Sequence, residues 1–299
     1  MEHTSIPAPS NCLLCDNKGL KSEGTYTDHF LSGEQFSILR CEKCELRITH
    51  PMPELSKLSG YYASENYISH SNKRSDLFGM VYQMVRRFTH GRKYKLLTRF
   101  SSGLTILDIG CATGEFLNFC ATKGMIPTGI EPSDKARNFA ESEYNLKVGD
   151  EQAIKGLQSS YFDAITMWHV LEHVPDINMR MEDIHRLLKD DGVAFIALPN
   201  HASHDAAFYN TYWAAWDVPR HLYHFNRKSF QSLATKHGFR IISIQPMVFD
   251  SYYVSLLSEK YKNGKSSIVK AAIRGFISNY KARFGSKEYS SLIYIIKKV

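Results

Sequence analysis

The pattern of hydrophobic and polar positions along residues 101–299 alternates between segments with strand periodicity and segments with helical periodicity. Short apolar runs predict strands, and apolar positions three or four residues apart predict the helices between them. We expect strands at 105–108, 127–131, 146–148, 162–167, 193–198, about 240–248 and 291–297. We expect helices near 114–123, 133–144, 176–189 and 228–237. This alternation is typical of an α/β fold, in which helices cover both faces of a mainly parallel sheet.

The first hundred residues differ in character from the rest. Residues 1–50 contain two cysteine pairs and end before Pro51 and Pro53. Residues 51–100 are expected to form a helical, aromatic linker that caps the substrate site. The α/β domain then spans 101–299, with a long loop at 201–227 and a basic helical insertion at 251–286.

The two cysteine pairs predict a metal site. Cys12-x2-Cys15 and Cys41-x2-Cys44 are separated by 25 residues. Each pair places two thiols on one tight turn, and two facing turns complete a tetrahedral four-sulfur site for zinc. Such a site has no open coordination position, so its role is structural, and it stabilises a ribbon too small for its own core. A redox dithiol or two chance pairs are the alternatives.

The run from Ile106 to Leu117 changes from strand to helix through a turn with two glycines. Such a turn brings the backbone close to a ligand at a helix N-terminus. Glu131 follows Gly110 by 21 residues and ends the next strand, a distance that suits a carboxylate accepting from ribose hydroxyls. Asp108 precedes the turn and would repel a pyrophosphate, but it can hold an ammonium group. The pattern therefore favours S-adenosylmethionine over a dinucleotide.

Four successive segments resemble the motifs of class I S-adenosylmethionine-dependent methyltransferases. The Ile106–Leu117 tract resembles the first motif, 129–133 the second, Gly149-Asp150 the third and 162–174 the fourth. The resemblance implies a Rossmann-like seven-stranded sheet with 291–296 as an inserted edge strand. It implies that the cofactor is bound by Asp108, Gly110, Cys111, Gly114, Glu131, Asp150, Trp168 and Tyr67. The alternative is an α/β domain whose cleft binds nothing.

The fourth predicted strand ends at residues suited to acid–base chemistry. Ligands of open α/β sheets bind beyond the carboxyl ends of the strands, where Trp168, His169, Glu172 and His173 fall. His169-x-x-Glu172-His173 also matches the inverted zinc-protease motif, in which one helix carries two zinc ligands. A helix start with histidines that bond local groups is a further alternative.

A second segment rich in aromatic residues and histidines, 213–226, follows the fifth strand. It contains two tryptophans, one arginine and two histidines. Long connections of this kind are usually functional. The alternative is an Ω-loop that packs on its own aromatic side chains.

Together these features resemble the zinc-ribbon-bearing methyltransferases that act on deoxysugars attached to nucleotides. Their Tyr-x-Ser-x-Ser tract is matched by Tyr67-Ile68-Ser69-His70-Ser71, and their two histidines by His173 and His221. The sequence departs from that family at Val218-Pro219-Arg220-His221, where the family has Tyr-His-Glu-His. It also lacks their second α/β domain, and over its whole length it resembles shorter ribbon-bearing methyltransferases.

The resemblance implies methyl transfer to a small-molecule acceptor, such as a sugar, a glycan precursor or a natural-product intermediate. A hydroxyl nucleophile must lose its proton during the displacement. We predict His221 as the general base, with Glu172 and His173 orienting the substrate.

Two other functions stay open. His169, Glu172 and His173, with His221 or His224, resemble the cluster of metal-dependent methyltransferases that act on RNA 3′ ends or catechol-like hydroxyls. The second alternative is a non-enzymatic zinc-ribbon module that binds nucleic acid. The ribbon segment is not notably basic, so no nucleic-acid partner is expected.

Composition and charge add two expectations, one about the location of the protein and one about its basic C-terminal segment. The chain begins without an apolar export signal and has no run of about 18 apolar residues, so a cytoplasmic location is expected. Residues 251–299 carry eight Lys, two Arg and two Glu, a net charge of +8, whereas the whole chain has +7. Apolar residues recur there at helical spacing at Val269, Ala272, Ile273, Phe276, Ile277, Tyr280 and Phe284.

We expect this helix to pack on its domain with a solvated charged face. One alternative is a cap that attracts an anionic or sugar-linked acceptor. The other is a weak contact with an acidic membrane surface.

Overall fold

The computed structural model describes residues 10–62 and 77–299, so Tyr67 and the tract around it lie outside the described residues. The strands are β1 (Lys21–Thr27), β2 (Gln35–Arg40), β3 (Arg47–His50), β4 (Thr105–Ile109), β5 (Ile126–Ile130), β6 (Val148–Gly149), β7 (Phe162–Trp168), β8 (Leu188–Pro199), β9 (Tyr223–His224), β10 (Phe239–Pro246) and β11 (Ser291–Lys298). The α-helices are α1 (Leu55–Leu58), α2 (Leu77–Phe100), α3 (Glu115–Ala121), α4 (Asp134–Tyr144), α5 (Ile177–Leu187), α6 (His204–Tyr209), α7 (Arg227–Lys236), α8 (Asp250–Asn263) and α9 (Ile268–Lys281). Among the described residues, no helix is long and apolar enough to cross a membrane.

Seven strands form one sheet in the order β10-β11-β8-β7-β4-β5-β6. Its pairs are parallel except those of β11, which runs antiparallel between β8 and β10. The predicted α/β class with a seven-stranded, mainly parallel sheet is confirmed. The expectation that the last strand lies at the edge is wrong. β11 is buried along most of its length, as an interior strand requires, whereas β10 is largely half-buried and forms the edge.

Alternate residues of the central strands face two separate hydrophobic cores. In β8, Ile196 and Leu198 face one core, and Phe195 and Ala197 face the other. Helices α5 and α7 contribute to the first core, and α2, α3 and α4 contribute to the second. Because both faces bury their apolar side chains under helices, the predicted helical cover on both sides is confirmed.

A four-stranded antiparallel sheet in the order β1-β2-β3-β9 joins the N-terminal segment to the loop of residues 201–227. Ile48 of β3 lies opposite Tyr223 of β9. Tyr26 of β1 packs edge to face on Trp216, with ring centroids 5.0 Å apart. The long loop contains α6, two 3₁₀ turns and β9. Its aromatic side chains therefore form a core shared with the N-terminal segment, not an Ω-loop that packs on itself.

The predicted insertion at 251–286 forms two helices, α8 and α9, and a π-turn at Ala282–Ser286. The expectation that the apolar residues of this insertion pack on the domain is wrong. Ile273, Phe276 and Tyr280 are 53%, 61% and 56% exposed. The buried residues of α9 are the small ones, Ala271, Gly275 and Ser278. Small side chains let two helix backbones approach closely, and this contact decides which face of α9 is covered.

Candidate functional site

Four neighbouring strands end side by side with the residues predicted to hold a cofactor. Asp108 lies in β4 near its carboxyl end, and Trp168 ends β7. Glu131 follows β5, and Asp150 follows β6. The order β7-β4-β5-β6 therefore brings these side chains to one edge of the sheet, where open α/β sheets bind ligands.

The turn after β4 requires glycine at two positions. Gly110 and Gly114 have φ angles of +76° and +75°, which other residues rarely adopt. A Cβ atom at Gly110 would lie 2.3 Å from Val170, and one at Gly114 would lie 2.7 Å from Leu146. The turn is thus packed tightly against the segment that follows β7. Gly110 contacts Val170, which directly precedes the 3₁₀ turn Leu171–His173.

Glu131 is held in place by two backbone amides. Its Oε2 accepts from the amide of Ala112, and its Oε1 accepts from the amide of Ser133, both at 2.9 Å. Burial raises the pKa of Glu131, and the two amide bonds oppose that shift. Each oxygen keeps a further lone pair, so the carboxylate can accept from two neighbouring hydroxyls. This arrangement fits the ribose of a nucleoside.

Asp150 and Cys111 contribute in different ways. Asp150 Oδ1 accepts from the amides of Gln152 and Ala153, both at 3.0 Å, and this caps the following 3₁₀ turn. The Cys111 side chain packs toward the sheet, because a Cβ at Gly129 would lie 2.7 Å from its Sγ. Burial raises the pKa of the Cys111 thiol. Only the Cys111 backbone is therefore available to a bound cofactor.

A lysine that the sequence did not indicate completes this end of the site. Lys93 Nζ lies 4.2 Å from the centroid of the Trp168 ring. Burial lowers the pKa of Lys93 to about 8. Burial also raises the pKa of Asp108 to about 7, although Asp108 accepts a hydrogen bond from Thr166 Oγ1 at 2.5 Å. Trp168 Nε1 is buried and has no acceptor among the described residues. A cationic amine and an unpaired N–H are donors that fit a carboxylate, such as the one in the amino-acid part of S-adenosylmethionine.

Two predicted histidines face each other beyond this turn. The ring centroids of His173 and His221 are 4.5 Å apart. His173 Nδ1 lies 2.9 Å from the carbonyl of Arg220, and His221 Nδ1 lies 2.8 Å from the carbonyl of Ala215. Because a carbonyl only accepts, each Nδ1 carries a hydrogen, and in a neutral ring the Nε2 has the lone pair. The Tyr62 hydroxyl also lies 2.9 Å from His173 Nδ1, and Asp217 Oδ2 lies 4.0 Å from His221 Nε2. Burial and the neighbouring His221 lower the pKa of His173 to about 4, so His173 is neutral near pH 7.

Glu172 lies beside both histidines as a third acceptor. Its side chain is 1% exposed, and its Oε1 forms an ion pair with His169 Nδ1 at 3.4 Å, although neither carboxylate oxygen accepts a hydrogen bond of good geometry among the described residues. Burial opposes ionisation, but the contact with His169 holds the pKa of Glu172 below its ordinary value. One ligand atom each from Glu172, His173 and His221 lies within 4.8 Å of the others. His169, with a pKa raised to about 10, supplies positive charge to Glu172, and the remaining acceptor atoms of the cluster fit a partner that donates a proton or carries a positive charge.

Of the two remaining rim histidines, His169 borders the acceptor cluster through its Nδ1, 3.4 Å from Glu172 Oε1. Its Nε2 bonds Asp250 Oδ2 at 2.9 Å, and although burial opposes it, the contacts with Asp250 and Glu172 raise the pKa of His169 to about 10. The protease-motif interpretation is wrong, because the described helical turn is only Leu171–His173 and does not include His169. His224 Nε2 lies 3.0 Å from Thr49 Oγ1, so His224 connects the loop to β3.

The four cysteines of the N-terminal segment form one cluster. Their sulfur atoms all lie within 4.8 Å of one another, and none forms a disulfide. The two turns have the same geometry. The amides of Cys12 and Cys41 each donate to the carbonyl five residues later, at Asn17 and Leu46. The amide four residues after each of these cysteines donates back to its carbonyl. Two equivalent turns that face each other fit a tetrahedral four-thiolate site.

The N-terminal segment also holds the loop that carries His221. Thr49 Oγ1 donates to the carbonyl of His221 at 2.6 Å, and the Thr49 amide donates to Leu222 at 3.0 Å. Arg220 is 1% exposed and bonds both Asp28 of the ribbon and Asp217 of the loop at 2.7 Å. Sequence reasoning included Arg220 in the loop but gave no partner for it, since Asp28 is 192 residues away.

Comparisons with known proteins agree with this geometry. A family described as "Methyltransferase domain" matches residues 80–244, which is more than half of the chain. A ubiquinone biosynthesis O-methyltransferase of Nitrosomonas europaea is 32% identical over 104 residues, 32% of this chain and 44% of the relative. Another, from Actinobacillus pleuropneumoniae, is 36% identical over 110 residues, 33% of this chain and 47% of the relative. The matched segment spans about half the length of these relatives.

Two solved structures share the fold. Phosphoethanolamine N-methyltransferase 2 of Haemonchus contortus, in complex with phosphomonomethylethanolamine and S-adenosylhomocysteine, has a TM-score of 0.54 and 15% identity. That match covers 84% of this chain and 62% of the other. Magnesium protoporphyrin IX methyltransferase of Synechocystis, with bound S-adenosylhomocysteine, has a TM-score of 0.53 and 11% identity, covering 82% and 100%. Identities this low establish a common fold and nothing about the acceptor.

Proposed function

Because this chain belongs to the family of methyltransferase domains, we propose that it transfers the methyl group of S-adenosylmethionine to a small-molecule acceptor. The observation that supports this most is the acceptor cluster of Glu172, His173 and His221 next to the glycine turn. Gly110 contacts Val170, and Glu172 follows two residues later. A methyl donor in the turn and a nucleophile at the cluster would therefore lie side by side. The acceptor class we favour is a sugar, a glycan precursor or a natural-product intermediate, anionic or sugar-linked.

Each residue of the site has a distinct part in this proposal. S-adenosylmethionine, when bound, supplies an electrophilic methyl group on a positively charged sulfur. Glu131 accepts from the ribose hydroxyls, and Asp150 accepts from the adenine amino group. Asp108 holds the ammonium group, and Lys93 with Trp168 holds the carboxylate.

The acceptor hydroxyl loses its proton to His221 Nε2 as the methyl group is transferred. The Nδ1 hydrogen of His221 stays bonded to the carbonyl of Ala215, so the ring keeps its orientation. The buried carboxylate of Glu172 stabilises the positive charge that forms on His221. Neutral His173 accepts a hydrogen bond from the acceptor and orients it. We also propose that the four cysteines hold a structural zinc ion.

Glu131→Gln is expected to raise the dissociation constant for S-adenosylhomocysteine about tenfold to a hundredfold. The variant loses a charged acceptor for the ribose, and a hydrogen bond to a charged group is worth about 1.5–3 kcal/mol. Isothermal titration calorimetry measures this constant directly, with Glu141→Gln, exposed on α4, as the matched control. Equal affinity of the two variants for S-adenosylhomocysteine contradicts the proposed cofactor. Binding heat on titration with NAD, with none on titration with S-adenosylhomocysteine, contradicts it as well.

A second candidate function is favoured by the same cluster. Two imidazoles and one carboxylate within 4.8 Å are a ligand set for a divalent metal that acidifies an acceptor hydroxyl. The acceptor would then be a catechol-like hydroxyl or an RNA end, and the metal would replace His221 as the activating group.

Mn²⁺ binding decides between the two candidates. If the metal-assisted function is correct, zinc-loaded protein binds one Mn²⁺ by electron paramagnetic resonance. Glu172→Gln then weakens that binding by at least about tenfold, because one of three ligands is lost. Glu182→Gln, exposed on α5, is the control and keeps the binding. Absence of a bound Mn²⁺, or equal binding in both variants, removes the metal-assisted function and leaves the general base.

A further inference from the structure

Helix α9 and the turn after it expose large apolar residues and bury small ones. The exposed residues are 53–75% accessible and are Ile268, Val269, Ile273, Phe276, Tyr280 and Phe284. We name these six residues the apolar stripe. A surface helix ordinarily turns such residues toward the core. A contiguous exposed apolar surface in a folded chain is typical of an interaction site.

The packing of α9 fixes this orientation. A Cβ atom at Gly275 would lie 2.6 Å from the ring of Tyr252 on α8. Ser251 Oγ donates to the carbonyl of Gly275 at 3.2 Å, and Ser278 Oγ donates to the buried Asp205 at 2.6 Å. Larger residues of α9 do not fit this close contact. The apolar stripe therefore stays on the outside without rearrangement of the helices.

Positive charge accompanies the stripe. Lys270 and Lys281 are exposed on α9, and Arg283 is exposed in the turn that follows. A cavity of about 350 Å³ lies beside Ile273, and its lining includes Lys262, Lys270 and Arg274. Arg274 sits over the Phe208 ring at 3.8 Å. The one acid in this lining, Glu259, already accepts from Tyr209 and Asn263. The cavity is thus a cationic recess next to an apolar surface.

We propose that this face docks on the surface of an anionic lipid bilayer. The apolar stripe enters the boundary between headgroups and acyl chains, and the recess receives a lipid phosphate. An interfacial helix has this combination of bulky apolar residues on one side and Lys and Arg next to them. The net charge of +8 in residues 251–299 complements anionic lipid. A second copy of the chain is a poorer occupant, because it would bring like charges together.

Helix α9 is connected to the rim of the sheet through the segment that precedes α8. Asn279 Nδ2 on α9 donates to the carbonyl of Val248 at 2.8 Å. Phe249 follows and is exposed, and Asp250 follows it and bonds His169 at the rim. The docking itself does not depend on the proposed methyl transfer.

Vesicle co-sedimentation of the full chain tests the proposal. We expect binding to phosphatidylcholine vesicles that contain phosphatidylglycerol, and much weaker binding to phosphatidylcholine alone or in high salt. Phe276→Ser is expected to lower the partition coefficient about tenfold, because the variant lacks the phenyl ring that would insert into the lipid. Lys270→Gln is expected to lower it about fivefold for the anionic vesicles. The matched controls, Leu104→Ser at another exposed apolar residue and Lys135→Gln on α4, are expected to bind like the parent chain.

Four results would overturn the proposal. The first is no binding of the parent chain to anionic vesicles. The second is binding that Phe276→Ser and Leu104→Ser reduce equally. The third is a dimer at micromolar concentration that Phe276→Ser dissociates, which would assign the face to a second copy. Inorganic phosphate that binds the recess without any vesicle binding would likewise contradict a lipid partner. Circular dichroism of each variant shows whether its fold is intact.

Discussion

His221→Ala is expected to lower kcat by about 10²–10⁴ while the dissociation constant for S-adenosylhomocysteine stays unchanged. The His221 side chain lies in the acceptor cluster with Glu172 and His173. Among the described residues, none of the groups proposed to hold the cofactor bonds it. Removing the imidazole therefore removes the proton acceptor and leaves the cofactor contacts intact. The loss falls on the chemical step because the base acts only as the hydroxyl is deprotonated.

The assay measures S-adenosylhomocysteine released from S-adenosylmethionine, first with a panel of nucleotide-linked sugars and catechols to find an acceptor. His237→Ala is the control, since His237 lies at the end of α7 and bonds Asn178. Added imidazole is expected to restore part of the lost turnover, because it can occupy the space of the missing ring. Full activity in His221→Ala, or a parallel loss of cofactor affinity, contradicts the assignment of His221 as base.

The cofactor end of this site could be predicted because its signals are local. The turn needs two glycines with positive φ, and the acids follow neighbouring strands at fixed distances along the chain. Each requirement is set within a few residues, so the sequence pattern shows it. Lys93 lacks such a signal. It reaches Trp168 from α2, 75 residues earlier in the chain, and a lysine in a helix ordinarily faces solvent.

The two errors in the fold have a common cause. Periodicity shows that a segment has an apolar face, but the neighbours of that segment decide where the face points. β11 was expected at an edge and lies inside the sheet, because β10 pairs with its outer side. The stripe of α9 was expected to be buried and is exposed, because Gly275 packs against Tyr252. Both outcomes depend on contacts between residues far apart in sequence.

The ribbon and the acceptor cluster are physically connected. Cys12 and Cys44 lie in the same hydrophobic core as Leu222 and Tyr223, the two residues after His221. Thr49 of β3 bonds the His221 carbonyl. A zinc ion that orders the two cysteine turns would therefore also fix β3 and, through it, the His221 backbone. Under the proposed function, this N-terminal segment would support the loop that carries His221, and loss of zinc should affect turnover as well as stability.

Cys44→Ser is expected to abolish zinc binding, to lower the melting temperature by about 10–20 °C and to reduce kcat severely. A structural zinc site contributes several kcal/mol of folding free energy, and about 1 kcal/mol shifts the melting temperature by roughly 2–4 °C in a domain of this size. Metal analysis, calorimetry and the same methyl-transfer assay measure the three effects. The affinity for S-adenosylhomocysteine is expected to persist well below the melting temperature, because Glu131 and Asp150 are held by contacts outside the ribbon.

Cys120→Ser is the matched control for this experiment. Cys120 is fully buried on α3 in the other hydrophobic core, so it undergoes the same chemical change away from the cysteine cluster. Burying its hydroxyl costs about 1–3 kcal/mol, but zinc content and kcat should match the parent chain. If Cys44→Ser retains one zinc ion, the four-thiolate site is wrong. If it loses zinc yet keeps kcat, the ribbon does not position His221.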